Sequence, residues 1–256
     1  MSLNYVVKPV ERAIRVLQCA GAASSPLSLK EISARVGLPK TSVFRYLQTL
    51  RSCGLIAHDA DRDLYRVDAG ILSLVPQGGG LQRLREIALP HMRSLRQRYN
   101  ETVNLGILEG VNVVYIEIIE SKRALRMQAR VGGRDPVHST AIGKAILAHL
   151  PDHIRQQIVP PRLRKRTALT LTSVTSLDAE LASTRDRGYA LEEGENEEGA
   201  ACIGAPIFSE SGEVSAGISI AAPAARLGEQ RRHEIAPVLV GAAKRISVTL
   251  GFRSAR

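Results

Sequence analysis

The chain has 256 residues, of which 44% are hydrophobic and 23% charged, a composition that excludes a disordered or fibrous protein and suits one or two globular domains. No window reaches the roughly 18 uninterrupted apolar residues of a membrane helix, and the three cysteines are widely spaced without a CxxC pair, which excludes a disulfide framework and a zinc ribbon. The net charge of +10 favours polyanionic partners, and residues 1–66 hold ten basic and five acidic side chains, half of that excess.

The first residues carry no recognisable export signal. Met1 to Tyr5 contain neither a charged segment followed by an apolar one nor a small-residue cleavage site. We therefore expect the protein to stay in the cytoplasm and its cysteines to be free thiols.

The first 66 residues predict three helices and a two-stranded ribbon. The second helix begins with Ser28-Leu29-Lys30-Glu31, in which serine and glutamate can satisfy each other's backbone amides as a capping box. It ends at Gly37, because glycine accepts the left-handed backbone that terminates a helix sharply. The predicted elements are a helix around Val10–Leu17, a helix over 28–36, a helix from Lys40 to about Cys53, and strands at Leu55–Ala57 and Leu64–Val67.

Two short helices joined by a glycine-containing turn are typical of a helix-turn-helix, whose second helix enters the major groove of DNA. The outer face of the third predicted helix carries basic, hydroxyl and amide side chains. Arg45 can pair with a guanine edge, and Thr41 and Ser42 can donate to phosphates or bases. The alternative is an αα-hairpin that only packs. The predicted DNA-binding residues are Lys40, Thr41, Ser42, Arg45, Gln48 and Thr49 on the helix and Arg62 on the ribbon.

The remainder of the chain predicts a helical segment followed by a mixed domain. Residues 69–100 are mostly helical and are interpreted as a linker. Residues 101–256 alternate strand-like runs with helices, which indicates an α/β or α+β domain with its own core. The predicted strands are Val103–Leu108, Val113–Ile119, Leu125–Arg130, Ala200–Phe208 and Val214–Ala221, and the predicted helices are Thr140–Leu150, Leu177–Arg187 and Glu229–Leu250.

Three blocks of sequence resemble the IclR family of bacterial transcriptional regulators, and the likeness covers nearly the whole chain. The blocks are GLPKTSVFRYL at residues 37–47, HSTAIGKAILA at 138–148, and GAACIGAPIF at 199–208, which follows RGYA at 187–190. Their order and spacing are more specific than any single block.

The resemblance implies an α+β protein with three parts. These are an N-terminal winged helix-turn-helix (1–68), a helical linker (69–100) and a GAF-like α/β effector-binding and oligomerisation domain (101–256). It also implies a transcriptional regulator without enzymatic activity or cofactor. We interpret this regulator as a repressor. Its expected partners are double-stranded palindromic operator DNA, a small organic-acid effector and further copies of itself, in a homodimer or homotetramer.

Matching the blocks also places the effector pocket. The implied effector-binding residues are Met127, Ala141, Ile142, Glu192, Cys202 and Ser219. The amino end of the helix that opens near Ala141 offers free backbone donors and the positive end of its dipole, which suit a carboxylate. Ser219 can donate a further hydrogen bond.

Two positions depart from the family pattern. Glu192 stands where the family often has aspartate, among several other glutamates, so an anionic ligand is repelled unless Glu192 points away or carries a proton. Ala221 offers only a methyl group where some members have a hydroxyl. We therefore expect an effector less polar than the shortest keto acids, such as an aromatic acid.

Three further interpretations stay open. Cys202 with His138 and Glu192 allows a cysteine-dependent hydrolase with an accessory DNA-binding domain, although no nucleophile motif surrounds the cysteine and an inert thiol is favoured. A constitutive DNA-binding protein with a vestigial pocket is the second. His149 and His153 have the spacing of metal ligands on a helix, but Pro151-Asp152 interrupts it, so we expect solvated histidines and no metal.

Overall fold

A computed structural model describes residues 6–23, 25–74 and 79–253 of the chain. Its internal contacts divide the chain into two units, Met1–Gly79 and Gly80–Arg256. Across the described residues, no helix is both long and apolar enough to cross a membrane. The expectation about an export signal concerns residues 1–5, which lie outside the described ranges.

The first unit consists of helices and a small antiparallel sheet. The elements are α1 (Lys8–Gly21), β1 (Leu27–Ser28), α2 (Leu29–Val36), α3 (Lys40–Ser52), β2 (Ile56–Asp59), β3 (Leu64–Val67) and a 3-10 helix at Ala69–Leu74. The strand order is β1-β3-β2, so β2 and β3 form the wing that follows the helix-turn-helix. The predicted winged helix-turn-helix is confirmed. Strand β1 was not predicted, because two residues carry no pattern and the strand exists only through its pairing with β3.

The turn between α2 and α3 forms as the sequence predicts. The Ser28 amide donates to Glu31 Oε2 at 2.8 Å, and the Glu31 amide donates to Ser28 Oγ at 3.3 Å, which completes the capping box. Gly37 adopts a φ of +67°, the left-handed conformation that ends α2. Ser33 donates its hydroxyl to the Leu38 carbonyl at 2.6 Å across the turn. These bonds fix the angle at which α3 leaves the turn.

The second unit is a six-stranded antiparallel sheet with helices on both faces. Its elements are α4 (Gly80–Tyr99), β4 (Thr102–Glu109), β5 (Asn112–Ile119), β6 (Arg134–Pro136), α5 (Ala141–Leu147), α6 (Asp152–Ile158), α7 (Val174–Arg187), β7 (Ala190–Glu193), β8 (Ala200–Phe208), β9 (Val214–Pro223) and α8 (Glu229–Thr249). The strand order is β6-β5-β4-β9-β8-β7. Sheets and helices segregate along the chain rather than alternating strictly, and the α+β class is confirmed.

The two faces of this sheet have separate cores. Helices α4 and α8 bury one face, with Met92, Ile203, Ile218 and Leu239 among the fully buried side chains. Helices α5 and α7 cover the other face around a smaller cluster. Most of the predicted linker, the helix α4, therefore packs on the sheet of the second unit. Its role as a linker stays a prediction.

The strand predicted at Leu125–Arg130 is wrong. The segment has no strand partner, and Leu125 is 70% exposed. Its backbone is held by side chains instead: Thr102 Oγ1 donates to the Met127 carbonyl at 3.0 Å, and Arg226 donates to the Leu125 carbonyl at 3.0 Å. The edge strand next to β5 is β6 instead, whose charged and proline residues carry no strand pattern.

Candidate nucleic-acid interface and effector cavity

One face of α3 is buried and the opposite face is open to solvent. Val43, Leu47 and Leu50 pack into the core of the first unit. Of the seven predicted DNA-binding residues, Lys40, Thr41, Arg45, Thr49 and Arg62 are exposed, and Ser42 and Gln48 are half-buried. The outer face of α3 is thus free to meet a duplex.

Two details of α3 bear on which side chains can read DNA. Thr49 donates its hydroxyl to the Arg45 carbonyl at 3.0 Å, so that hydroxyl is already engaged within the helix. Neither Lys40 nor Arg45 takes part in an ion pair with any other described residue. Both positive charges are therefore available to an external anion.

A cavity of about 60 Å³ lies where the start of α5 meets the sheet of the second unit. This is several times the roughly 10–15 Å³ that one water needs. All six predicted effector-binding residues line it: Met127, Ala141, Ile142, Glu192, Cys202 and Ser219. They come from five different segments of the chain. The structure brings the six together, and their role in binding an effector stays a prediction.

Glycines allow α5 to lie close to the sheet beside this cavity. A Cβ atom at Gly204 would come within 2.5 Å of the Ala141 carbonyl oxygen. A Cβ atom at Gly217 would come within 3.0 Å of Ile142 Cγ2. Glycine at position 204 permits this close approach of the α5 backbone, and glycine at position 217 leaves room for the Ile142 side chain, so Ala141 and Ile142 can form walls of the cavity.

Glu192 faces the cavity with one carboxylate oxygen held by the backbone. Its Oε1 accepts from the Glu195 amide at 2.7 Å and from the Asn196 amide at 3.1 Å. Burial raises the pKa of Glu192, although these hydrogen bonds oppose the shift. Glu192 therefore does not point away from the cavity, and it holds a proton at higher pH than an exposed glutamate does.

Cys202 lies directly opposite Glu192 in the register of β7 and β8. Burial, together with the adjacent carboxylate, raises the pKa of its thiol well above the ordinary value. A nucleophilic cysteine needs the reverse, a lowered pKa and a base at hand. His138 is not among the residues that line the cavity with Cys202, and its Nε2 donates to the Arg164 carbonyl at 3.0 Å. A thiol with a raised pKa is a poor nucleophile, which counts against the hydrolase interpretation.

The sequence did not indicate several further residues that line the cavity, among them Tyr115, Asn104 and Asp135. Tyr115 donates its hydroxyl to Asp135 Oδ2 at 3.0 Å, and burial raises the pKa of the phenol, which therefore stays protonated. Asn104 donates from Nδ2 to Ser219 Oγ at 3.4 Å. A polar residue inside an apolar strand is a signal that could have identified Asn104. Asp135 has no such signal, because β6 is not recognisable in the sequence.

The cavity is lined by acidic and not by basic groups. Asp135, Glu192 and Glu197 line it, and no described lysine, arginine or histidine does. Lys144, a buried cation in α5, is 1% exposed and donates to Glu195 at 2.5 Å, so its charge is matched within the unit. An anion that enters the cavity meets negative walls.

The histidine pair with metal-ligand spacing is not assembled. His149 bonds through Nδ1 to the Ala145 carbonyl at 3.0 Å and packs edge-on against Phe208, so the expectation that it is solvated is wrong. His153 is exposed at the start of α6. Within the part of the chain that the structure describes, no group of three metal-ligating side chains occurs.

Comparison with known proteins shows to which family the chain belongs. The family model "IclR helix-turn-helix domain" matches residues 9–60, and "Bacterial transcriptional regulator IclR C-terminal" matches residues 81–248, more than half of the chain. The chain belongs to the IclR family. This IclR-family regulator is 34% identical to the HTH-type transcriptional regulator KdgR of Escherichia coli K12 over 252 residues, 96% of this chain and 94% of KdgR.

Two further relatives extend the comparison. The transcriptional repressor IclR of E. coli K12 is 28% identical over 248 residues, 96% of this chain and 91% of that protein. The crystal structure of an IclR homologue complexed with 4-hydroxybenzoate, from Microbacterium hydrocarbonoxydans, is 29% identical with a TM-score of 0.72 and covers 94% of this chain and 98% of its own. The relatives are regulators and not enzymes, so the hydrolase alternative has no support.

Proposed function

We propose that this IclR-family regulator represses transcription by binding a palindromic operator as a homodimer or homotetramer, and that a small organic acid in the cavity controls this binding. The observation that carries the proposal is the solvent-exposed outer face of α3, with Lys40, Thr41 and Arg45 outward and the opposite face in the core. The exposed positive charges suit a DNA duplex. A DNA-binding role in turn supports a cytoplasmic location.

The residues of the proposed interface divide by role. Lys40 and Arg62 suit phosphate oxygens, which position the protein on the duplex without reading sequence. Arg45 suits the O6 and N7 atoms of guanine, a contact worth about 1–3 kcal/mol of discrimination. Identical heads related by a two-fold axis require half-sites of the same kind, so a homodimer predicts a palindrome. The E. coli relative that carries the name repressor supports repression as the sign of regulation.

Selection from a library of random duplexes, followed by footprinting, tests this proposal. We expect the full chain to enrich a site with two-fold symmetry, and its affinity to fall steeply with salt because phosphate contacts release counterions. Binding without sequence preference, or to an asymmetric site, would contradict it. Operator occupancy that no metabolite changes would instead favour the constitutive binder with a vestigial pocket.

The effector is proposed to be an acid less polar than the shortest keto acids. The complex of the Microbacterium homologue with 4-hydroxybenzoate supports an aromatic acid as a first candidate. A benzene-sized ligand fills about 150 Å³, so the cavity of about 60 Å³ must widen to admit it. Thermal-shift measurements with aromatic and short aliphatic acids test the class. Stabilisation by glyoxylate or pyruvate alone would contradict the aromatic assignment.

The affinity for such an acid is expected to fall as pH rises. Burial raises the pKa of Glu192, and below that pKa the protonated side chain can donate to the effector's carboxylate. Above it, the ionised Glu192 adds a further negative charge beside the effector's carboxylate, and one linked proton lowers the affinity by up to about tenfold per pH unit. Calorimetry with the acid found by thermal shift measures this slope. Glu192→Gln should make the affinity nearly independent of pH, and an unchanged slope in that variant would contradict the role of Glu192.

Effector control requires a difference in affinity between two arrangements of the regulator. The coupling between effector and operator cannot exceed that difference, and the same factor must appear when operator DNA alters effector affinity. Measuring how the effector changes operator affinity, and how the operator changes effector affinity, distinguishes coupling from ligand binding alone.

A further inference from the structure

Phe44 is an aromatic side chain on the exposed side of α3 that the first unit does not use for its core. It is 46% exposed, whereas its neighbour Val43 is fully buried. The core of the first unit is closed by other side chains, among them Leu47 and Ile56, without a contribution from Phe44. Removing the ring should therefore leave the fold intact.

The position of Phe44 on the helix decides what the ring can touch. It lies three residues after Thr41 and four before Gln48, so these side chains share one strip of the helix surface. Arg45 is its neighbour toward the centre of the outer face. If Thr41 and Arg45 reach base edges, the ring lies beside Thr41 at the flank of the same face and reaches the groove with them.

The surroundings of the ring indicate a duplex rather than another protein surface. The neighbouring exposed side chains are Lys40, Thr41 and Arg45, which an apolar partner would have to desolvate. The larger exposed apolar patch of the unit lies on a different helix, around Val10 and Ile14 of α1. The ring is thus a single apolar group within a cationic surface.

The major groove offers one apolar feature at base edges, the C5-methyl group of thymine. We infer that Phe44 packs on a thymine methyl in each operator half-site and so selects a T·A pair at that position. The inference rests on the proposed function and adds a residue that reads sequence by apolar contact, beside the polar contacts of Arg45.

Replacing thymine by deoxyuridine removes this methyl and nothing else. The experiment uses the full chain and the duplex that it selects from a random library, with each thymine of the half-site exchanged in turn. We expect one exchange to weaken wild-type binding about fourfold per half-site, the factor for burying about one methylene. Phe44→Ala should bind the thymine and deoxyuridine duplexes equally, at the wild-type affinity for the deoxyuridine duplex.

Two controls separate the possible outcomes. Val111→Ala, at a similarly exposed apolar side chain of the second unit, should keep the preference for thymine over deoxyuridine, and thermal unfolding should show that Phe44→Ala is folded. If wild type selects no duplex, the proposed function itself fails and this inference fails with it. If wild type binds a selected duplex but no thymine methyl matters, or Phe44→Ala still distinguishes the two duplexes or changes oligomeric state, Phe44 does not read a methyl and the inference is overturned.

Discussion

Lys144→Met is expected to destabilise the second unit by about 3–5 kcal/mol, the cost of breaking a buried ion pair from one side. Lys144 is 1% exposed, and its Nζ lies 2.5 Å from Glu195 and 3.5 Å from Glu180. Without the ammonium group, Glu195 keeps a buried charge with no partner. Its Oε2 already has no hydrogen-bond partner among the described residues.

Urea unfolding followed by circular dichroism measures this loss. Burial raises the pKa of Glu195 even with Lys144 present, and removing the lysine raises it further. A carboxyl whose folded pKa is raised destabilises the fold when it ionises, so the variant should regain stability as pH falls through that pKa.

Two variants serve as controls for Lys144→Met. Lys165→Met makes the same chemical change at an exposed site and should alter stability little. Lys144→Met combined with Glu195→Gln should recover part of the loss, because the uncompensated charge is gone. Equal stability of Lys144→Met and the unaltered chain would show that the pair contributes nothing.

Gly143→Ala is expected to destabilise the second unit by about 3 kcal/mol, at the upper end of the usual overpacking range. Gly143 lies in α5, and a Cβ atom there would overlap the carbonyl oxygen, Cα and carbonyl carbon of Val137. These are backbone atoms, which cannot rotate aside as a side chain does. The helix must therefore shift away, and with it the cavity walls Ala141 and Ile142.

Gly241→Ala is the matched control for that substitution. It also lies inside a helix, α8, but its Cβ atom would meet only the flexible end of Arg245 at 3.5 Å. Alanine is the better helix former by about 0.5–1 kcal/mol, so this variant should be as stable as the unaltered chain or more so. Thermal unfolding of Gly143→Ala and Gly241→Ala tests this expected difference in stability. Similar melting temperatures would contradict a close contact at Gly143.

The local signals of the first unit were sufficient to predict its fold. The capping box at Ser28–Glu31, the left-handed Gly37 and the apolar spacing of α3 are all readable within a few residues, and the structure has each of them. What was missed there is β1, whose two residues become a strand only by pairing with β3.

The second unit depends on contacts between distant parts of the chain, and the sequence predicted it less completely. Leu125–Arg130 has a strand-like composition but lies beside the cavity, because side chains from elsewhere hold its backbone. Strands β6 and β7 and helix α6 were not predicted.

The residues of the cavity were also predicted only in part. Resemblance to the family placed six residues that the structure brings together. The sequence did not indicate Asn104, Tyr115 or Asp135, because their convergence follows from the strand order β6-β5-β4-β9 and not from any local pattern. The glycines under α5 were missed for the same reason, since a close approach is visible only when both partners are in place.

The substitution Arg45→Ala tests most directly whether the outer face of α3 reads DNA. Fluorescence anisotropy would compare the unaltered chain, Arg45→Ala and Arg12→Ala, which removes the same charge from α1, on the selected duplex and on duplexes changed one base pair at a time. We expect Arg45→Ala alone to weaken binding by about 5- to 150-fold per half-site and to lose the preference for one G·C pair in each half-site. Unchanged affinity and base preference in Arg45→Ala would contradict it.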